Sequence, residues 1–256
     1  MNCVSIMMVT YNRLELTKRM FENFLKTTDS DYRLIVVDNG SVDGTVDWLK
    51  QLNPVGGHCQ GYHTHFNEKN MGIAIGRNQG LLIADKYQDL YLCTIDNDVE
   101  LHTGWLTQCL DVVKSNNRFT IGVNFEGKNY PEQLVNGHKV QWKKDGNLGT
   151  ACSVFHRKLH DAIGFFIMDF GLYGEEDADF FFRARQAGWQ VGYLPTNGVH
   201  FGEGELDIGE YREFKTAQHQ KNLKAFQKNC WDYMGRMRSI YIKFEDKSIT
   251  DSNKTQ

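Results

Sequence analysis

Apolar and polar positions follow two different periods along the first 125 residues. Short apolar runs rich in β-branched residues, such as CVSIMMVT at 3–10 and YRLIVVDN at 32–39, predict buried strands. Between them, residues 13–26 repeat apolar positions at the spacing of a helix. The same strand and helix signals recur up to LYLCTID at 90–96 and beyond. This alternation predicts a Rossmann-like, doubly wound α/β sheet that is mostly parallel.

The regular alternation of strand and helix signals ends after residue 125. Residues 126–150 are rich in Gly, Asn and Lys, which predicts loops and short strands. Strand signals at 150–156 and 189–195 enclose a helix signal at 175–188, and residues 208–229 are again helical in pattern.

These patterns predict one domain over residues 1–246. Its first half, 1–125, would bind a nucleotide, and 126–246 would complete the site as a smaller C-terminal subregion. The polar end at 247–256 is expected to be a flexible tail.

Composition and charge are those of an ordinary globular protein. The net charge of −3 indicates neither a nucleic-acid nor a membrane partner. No apolar run approaches the ~20 residues of a membrane span, and the first apolar run resembles a strand rather than a leader peptide. Six cysteines without ligand spacing are interpreted as reduced, which predicts a cytoplasmic location.

Polar clusters follow three of the predicted strands, at Thr10–Arg13, Asp38–Ser41 and Asp96–Asp98. Ligands of an open α/β sheet bind beyond the carboxyl ends of its strands, so these clusters should meet in one crevice. Asp96 and Asp98 lie two residues apart and point to the same side of an extended chain. Two such carboxylates repel unless a cation lies between them, which favours Mg²⁺ or Mn²⁺ over a solvated turn or helix cap.

Asp38 and the segment NMGIAIGRNQG at 70–80 carry the other candidates. Asp38 could accept hydrogen bonds from a base or ribose, or else form an Asx turn. Glycines spaced by four residues suit close packing of a helix on a sheet. Arg77 could pair with a phosphate or with the aspartates.

Five motifs occur in the order seen in family 2 glycosyltransferases. They are MMVTYNR, VVDNGSVDGT, NMGIAIGRNQG, TIDNDV and YGEEDADFFFRARQAGW. Over about residues 3–205 the chain resembles this family, and it looks most like the bacterial rhamnosyltransferase-like branch. The resemblance implies the GT-A fold and a nucleoside-diphosphate sugar donor, with uridine or thymidine as the base.

The resemblance also implies roles for individual residues. The expected contacts of the nucleotide sugar are Thr10, Tyr11, Arg13, Asp38, Ser41, Asn70, Gly72, Arg77, Asn78, Asp96 and Asn97, with Asp43 close to Ser41. Asp98 would bind the metal with Asp96 beside it, and His200 would complete the metal shell. A lone histidine is otherwise more often structural. Relatives commonly carry a small hydroxyl residue after this histidine, whereas this chain has GEGE at 202–205.

Glu176 and Asp177 match the family's Glu-Asp pair, whose second member is the usual catalytic base. Asp177 is therefore the expected base, with Glu176 and Glu175 as alternatives. These acids could instead serve only to favour the start of a helix. With Asp177 as base, the expected reaction is an inverting, metal-dependent sugar transfer.

The sequence does not identify the acceptor of the sugar. Residues 211–243 interleave basic and aromatic side chains, which could bind an anionic membrane surface or a nucleic acid, or could form an amphipathic helix. A cell-envelope glycan or glycolipid is the first expectation, and a modified base in DNA is the second. The protein would then be cytoplasmic, at the inner face of a membrane in the first case.

Two other classes compete with a glycosyltransferase. A sugar nucleotidyltransferase should carry a glycine-rich loop after the first strand, but TYNRLEL at 10–16 has no glycine. A non-catalytic nucleotide-sugar-binding protein would not need Asp98, Asp177 and His200 together.

Overall fold

The computed structural model of the protein describes residues 3–125, 127, 129–144, 151–195, 198–201 and 209–250. Within these residues the strands are β1 (Val4–Thr10), β2 (Tyr32–Asp38), β3 (Cys59–Phe66), β4 (Tyr91–Asp96), β5 (Val99–Glu100), β6 (Phe119–Val123), β7 (Glu132–Val135), β8 (His138–Trp142), β9 (Cys152–His156), β10 (Gln190–Leu194) and β11 (Val199–His200). The helices are α1 (Leu14–Thr27), α2 (Thr45–Gln51), α3 (Ile73–Asp85), α4 (Trp105–Ser115), α5 (Arg157–Ile163), α6 (Glu176–Gln186), α7 (Gly209–Met234) and α8 (Lys247–Thr250).

One large sheet has the strand order β3-β2-β1-β4-β9-β6-β10-β8-β7. Strands β3, β2, β1 and β4 are parallel, whereas β9 runs antiparallel to both β4 and β6. The chain first moves outward from β1 to β3 and then returns to place β4 on the other side of β1. The strand order therefore reverses at β1, where an open α/β sheet forms its crevice. The predicted doubly wound α/β architecture is confirmed.

Side chains of β1 alternate between two apolar cores, one on each face of the sheet. Ile6 and Met8 join the core beneath α1 and α4, and Met7 joins the core beneath α3 and α6. Successive residues of a strand point to opposite faces, so a continuous apolar run is what a strand covered on both faces requires.

Helix α3 packs closely on β1 because two of its residues have no side chain. A Cβ atom on Gly76 would lie 2.8 Å from Val9, and one on Gly80 would lie 3.2 Å from Met7. The glycine spacing therefore has the packing role predicted for it. The close approach also fixes Arg77, the residue after Gly76, at the carboxyl ends of the strands.

A fully buried ion pair anchors α6. Arg183 donates to Asp179 at 2.5 Å and to the backbone carbonyls of Ile163, Phe165 and Ile240. The second oxygen of Asp179 accepts from the hydroxyl of Tyr233 on α7 at 2.9 Å. This network joins α6 to α5, to α7 and to the chain that follows α7.

Helix α7 turns one face inward and the other to solvent. Asn222 on its inner face donates to the carbonyls of Phe170 and Tyr173, while lysines at 221, 224 and 228 are exposed. The basic aromatic segment is thus helical up to Met234, with asparagines and Tyr233 on its inner face and lysines and Trp231 exposed on its outer face. Binding of a membrane or nucleic acid by its outer face stays a prediction.

The folded part extends beyond the boundary predicted at residue 246. Helix α8 follows directly, and its Ile249 is buried, with its carbonyl accepting from Lys86 of α3. A flexible tail beginning at 247 was wrong for these four residues. In the sequence, Ile249 is a single apolar residue among polar ones, and one apolar residue does not predict a packed helix.

Replacing Arg183 with Met should destabilise the protein strongly. The change leaves Asp179 buried without its charge partner, which typically costs roughly 3–5 kcal/mol of unfolding free energy. Urea unfolding followed by circular dichroism would measure the loss. The matched control is Arg212→Met on the exposed side of α7, which should change stability by less than about 0.5 kcal/mol. Equal midpoints for both variants would contradict a stabilising role of the pair.

Candidate active site

A cleft of about 620 Å³ opens at the carboxyl ends of the strands, where the strand order reverses. Val9 of β1 lies opposite Asp96 of β4, and Thr10 lies opposite Asp38 of β2. The three strands therefore end at the same level, and their polar clusters come together as predicted from sequence. Asn97 strengthens this junction because its amide donates to the hydroxyls of Thr10 and Thr17.

The cleft collects most of the residues proposed from sequence. Those in its wall are Thr10, Tyr11, Arg13, Asn70, Arg77, Asp96, Asn97, Asp98, Glu176, Asp177 and His200. They come from segments up to 190 residues apart, which the parallel strands and the start of α6 bring to one edge of the sheet.

Four proposed residues lie outside that wall. Asp38 is fully buried and accepts from the backbone of Gly40 and from both the amide and the hydroxyl of Ser41, which makes an Asx turn. Asn78 is fully buried and pairs with the backbone of Phe166. Gly72 is buried against the carbonyl of Gly171. Asp38, Ser41, Gly72 and Asn78 therefore make turn and packing contacts around the cleft, and their contact with a nucleotide sugar stays a prediction.

Asp96, Asp98 and His200 form a group suited to a divalent cation. One ligand atom from each lies within 4.8 Å of the other two. Nε2 of His200 and Oδ1 of Asp98 are 3.1 Å apart, close to the ~3 Å between neighbouring ligands that each lie ~2.1 Å from an octahedral ion. Two carboxylates and an imidazole are donors that Mn²⁺ accepts, so the residues fit the predicted Mn²⁺ or Mg²⁺.

The environment of Asp98 keeps it charged. Burial alone would raise its pKa, but the hydrogen bond and charge of His200, with the charges of Arg13 and Lys215, outweigh burial and hold the pKa below its usual value. Oδ2 of Asp98 also accepts from Arg13 at 3.1 Å. A carboxylate that stays ionised is a ready metal ligand.

Arg77 joins the two halves of the cleft. Its guanidinium donates to Asp96 at 2.9 Å and to Glu176 at 2.6 Å, and its side chain is 6% exposed. Burial acts against the charge of Arg77, but Asp96 and Glu176 outweigh it and raise its pKa. The guanidinium is thus oriented by two carboxylates at the end of β4 and the start of α6.

Glu175, Glu176 and Asp177 have different surroundings although they are adjacent. Glu175 is buried in a left-handed backbone conformation and accepts from Nδ1 of His219 at 2.7 Å. Glu176 is buried against Arg77, and burial raises its pKa to about 7 despite the opposing charge of that arginine. Asp177 is the partly exposed member of the three. It lines the cleft at the start of α6, and its Oδ1 accepts from the backbone amide of Ala178 at 2.7 Å.

The cleft is also lined by side chains that sequence reasoning did not assign to it, among them Lys143, Tyr173, Lys215 and His219. Lys215 and His219 come from α7, whose basic character was visible in the sequence but whose docking against the cleft was not. Nζ of Lys215 lies 4.9 Å from the centre of the Tyr173 ring. Residues 202–205, with the GEGE sequence, lie outside the described residues.

A doubly wound sheet with an Asp-Asn-Asp sequence after β4 and an acidic helix start facing it defines the class of GT-A glycosyltransferase folds. The family model described as glycosyl transferase family 2 matches residues 5–175. The chain belongs to this family, and the resemblance inferred from its motifs is confirmed.

Two relatives carry glycosyltransferase names. TuaG of Bacillus subtilis, named for teichuronic acid biosynthesis, is 28% identical over 95 residues, which is 37% of this chain and 35% of TuaG. The glycosyltransferase AglE of Haloferax volcanii is 23% identical over 168 residues, which is 64% of this chain and 52% of AglE. The matches thus span about a third to a half of these relatives.

Solved structures share the fold at low sequence identity. The mannosyltransferase PcManGT of Pyrobaculum calidifontis, solved with GDP-Man and Mn²⁺, has a TM-score of 0.61 at 15% identity, covering 85% of this chain and 61% of its own. GalNAc-T7, solved with UDP, GalNAc and Mn²⁺, has a TM-score of 0.61 at 12% identity, covering 77% and 43%. These likenesses confirm the GT-A fold. Among the helices of the described residues, none is long and apolar enough to cross a membrane.

Replacing Asp98 with Asn should weaken Mn²⁺ binding strongly, because an amide has lost the charge and one acceptor of the carboxylate. Changing even a partner of a metal ligand typically costs roughly 10- to 100-fold in metal affinity, so a change of the ligand should cost at least as much. The signal of free Mn²⁺ in electron paramagnetic resonance measures binding. Glu100→Gln is the control, because Glu100 lies nearby on β5 and pairs with Arg19. Equal Mn²⁺ affinity in wild type and Asp98→Asn would contradict the metal site.

Proposed function

We propose that the protein is an inverting, metal-dependent glycosyltransferase. It moves a sugar from a UDP or dTDP sugar to a hydroxyl of a cell-envelope glycan or glycolipid. One observation carries this proposal. The metal-ligand group of Asp96, Asp98 and His200 shares a cleft with the partly exposed carboxylate of Asp177.

The donor would lie across the ends of β1 and β4. Tyr11 and Asn70 would border the nucleoside, because they line the part of the cleft next to β1 and the start of α3. Arg13 donates to Asp98 at 3.1 Å and Lys215 lines the same cleft, and both would face the diphosphate. A bound Mn²⁺ or Mg²⁺ would add two positive charges where the diphosphate leaves.

Asp177 would act as the general base. Asp177 is partly exposed in the cleft, whereas Glu175 and Glu176 are buried beside His219 and Arg77. Asp177 would take the proton of the acceptor hydroxyl as its oxygen forms a bond to the anomeric carbon. The bond from that carbon to the diphosphate oxygen breaks at the same time, on the opposite face. One such displacement inverts the configuration of the carbon.

The acceptor class is supported by the name of one relative and by the polar wall of the cleft. The name of TuaG links that relative to the biosynthesis of teichuronic acid, which supports a glycan as the acceptor here. The cleft wall carries both acidic and basic side chains around its metal-ligand group, as a polar substrate requires.

Replacing Asp177 with Asn should abolish transfer and leave nucleotide binding intact. Loss of a general base typically lowers the rate by about 10²- to 10⁴-fold, whereas donor contacts lie on the other side of the cleft. Release of nucleoside diphosphate measures transfer. Thermal shifts with UDP, dTDP, GDP and CMP, each with and without Mn²⁺, measure binding, because a ligand at a hundred times its dissociation constant adds about 2.7 kcal/mol.

The control for this variant is Asp161→Asn on the exposed side of α5, which should transfer sugar at the wild-type rate. Transfer by Asp177→Asn at that rate would show that Asp177 is not the base. A wild-type protein that binds a nucleotide with Mn²⁺ but transfers no sugar from any donor would instead support a non-catalytic nucleotide-sugar-binding protein.

The end of α7 is proposed to rest on an anionic membrane. Trp231, Met234 and Met237 are 69%, 50% and 74% exposed, and we call them the α7 patch. Hydrogen bonds that close the helix, such as Met237 to the carbonyl of Asp232, bring Met237 back to the helix end. Exposed lysine at 224 and arginine at 236 lie in the same segment, a combination typical of interfacial helices.

The double variant Trp231→Glu/Met237→Glu should lose binding to vesicles that contain anionic lipid, because it puts two negative charges into the α7 patch. Cosedimentation with phosphatidylcholine vesicles, with and without phosphatidylglycerol, would measure binding at several salt concentrations. Leu134→Glu, at a residue of β7 that is equally exposed, should bind as wild type does. If the wild-type protein binds duplex DNA in a salt-dependent way and does not bind vesicles, the partner of this segment is a nucleic acid and not a membrane.

A further inference from the structure

Segment 170–175 leads directly into α6, which begins at Glu176. The part of it at 172–175 lines the cleft. The segment contains no helix or strand of its own, so its contacts with other elements determine its position. That position in turn affects where the carboxylate of Asp177 lies, because Asp177 follows the segment by two residues.

Helix α7 contacts segment 170–175 through side chains one helical turn apart. Asn222 is 3% exposed, and its amide donates to the carbonyls of Phe170 at 2.7 Å and Tyr173 at 2.8 Å. One turn earlier in the helix, Nδ1 of His219 lies 2.7 Å from Oε1 of Glu175. An ionised carboxylate only accepts hydrogen bonds, so Nδ1 of the imidazole is the donor. These contacts therefore run from the first residue of the segment to its last.

The backbone at the end of the segment has a conformation that needs support. Glu175 has a φ of 67° and a ψ of −4°, in the left-handed region that residues with a side chain rarely adopt. Such a conformation persists where its surroundings determine it. A Cβ atom on the preceding Gly174 would lie 4.0 Å from the Cα atom of His219, so the backbone of α7 passes close to this point. The chain thus turns into α6 at a place that α7 contacts directly.

Segment 170–175 is also attached to α3. The backbone amide of Ile73 donates to the carbonyl of Leu172 at 3.2 Å, and a Cβ atom on Gly72 would lie 2.7 Å from the carbonyl oxygen of Gly171. This attachment lies within the part of the chain that the family model matches, which ends at residue 175, whereas α7 follows later. The contacts with α7 therefore come from a part of this chain that the family model does not cover.

We propose that Asn222 and His219 are positioning residues for the general base. They act on Asp177 through the backbone of segment 170–175, which they connect to α7. A misplacement of ~1 Å that originates away from the reacting atoms can lower a rate by about 100-fold, so contacts that fix this backbone affect the reaction. This inference rests on the proposed function, because it takes Asp177 as the base.

Substitutions on α7 separate the hydrogen bonds from the packing of the helix. His219→Leu removes the donor to Glu175, whereas His219→Asn keeps a nitrogen donor close to the position of Nδ1. The His219 side chain is 59% exposed, so both variants should fold. Asn222→Ala removes both hydrogen bonds to the segment. The matched control is Gln220→Ala, at an exposed neighbouring residue of α7.

Turnover gives the first measurement. Release of nucleoside diphosphate is followed with UDP-glucose, UDP-galactose and dTDP-rhamnose, in the presence of Mn²⁺ and with water as the acceptor. His219→Leu and Asn222→Ala should lower kcat by about 10- to 100-fold and change the KM of the donor by less than about twofold, because the expected donor contacts lie at the ends of β1 and β4. His219→Asn should restore most of kcat, and Gln220→Ala should match wild type.

Hydrogen exchange of the backbone amides at 173–179 gives a second measurement that does not need turnover. Exchange there should be faster in His219→Leu and Asn222→Ala than in wild type, because the contacts that order the segment are lost. His219→Asn and Gln220→Ala should exchange as wild type does. The amides of β1 and β4 should keep their protection in every variant, which separates a local effect from general destabilisation.

The proposal is overturned if His219→Leu and Asn222→Ala keep the wild-type kcat, or if exchange at 173–179 is the same in all variants. An equal loss of kcat in His219→Leu and His219→Asn would also overturn it, since the hydrogen bond to Glu175 would not explain that loss. A wild-type protein that releases no nucleoside diphosphate from any of the donors would count against the proposed function itself. The exchange measurement would then decide by itself whether α7 holds the start of α6 in place.

Discussion

The arrangement of the cleft depends on the ion pairs that Arg77 makes with Asp96 and Glu176. Arg77 lies on a helix of the first half of the chain, and it holds one carboxylate at the end of β4 and another at the start of α6. Arg77 and Glu176 are largely withdrawn from water and Asp96 is partly exposed, so removing the guanidinium would leave two neighbouring carboxylates without their positive partner. The two ion pairs leave the guanidinium little freedom to move. They therefore hold Asp96, a candidate metal ligand, in a defined place relative to the acids of α6.

The packing of α3 on β1 and the pairing of β1 with β4 bring Arg77 close to its partner Asp96. The missing side chain of Gly76 lets α3 approach β1, and the pairing of β1 with β4 then places Asp96 within reach. On the other side, the buried pair of Asp179 and Arg183 ties α6 to the chain around it, one turn after Glu176. The guanidinium of Arg77 thus connects the end of β4 with the start of α6, and other contacts hold each of these elements in place. Asp177, next to Glu176, has the position of its backbone defined by the same contacts.

The parts of the site that follow strands could be predicted from sequence, because a strand end in a parallel sheet has a defined place. Asp96 and Asp98 were predicted in this way, and they lie together with His200. Asp38 shows the limit. An aspartate followed by Asn-Gly-Ser is suited both to bind a ligand and to close an Asx turn, and the sequence contains no information on which hydrogen bonds it makes. The structure places it in the turn.

Side chains contributed by packing between distant elements were harder to predict. Lys143 follows β8, the strand next to the edge strand β7. Lys215 and His219 lie on a helix whose inner face carries asparagines rather than an apolar stripe. Each reaches the cleft through contacts with residues far away in sequence, for which one chain gives no periodic signal. These residues surround the part of the cleft that the shared fold does not define. Under the proposed function the strand ends carry the donor, so we expect side chains brought in by packing to select the acceptor.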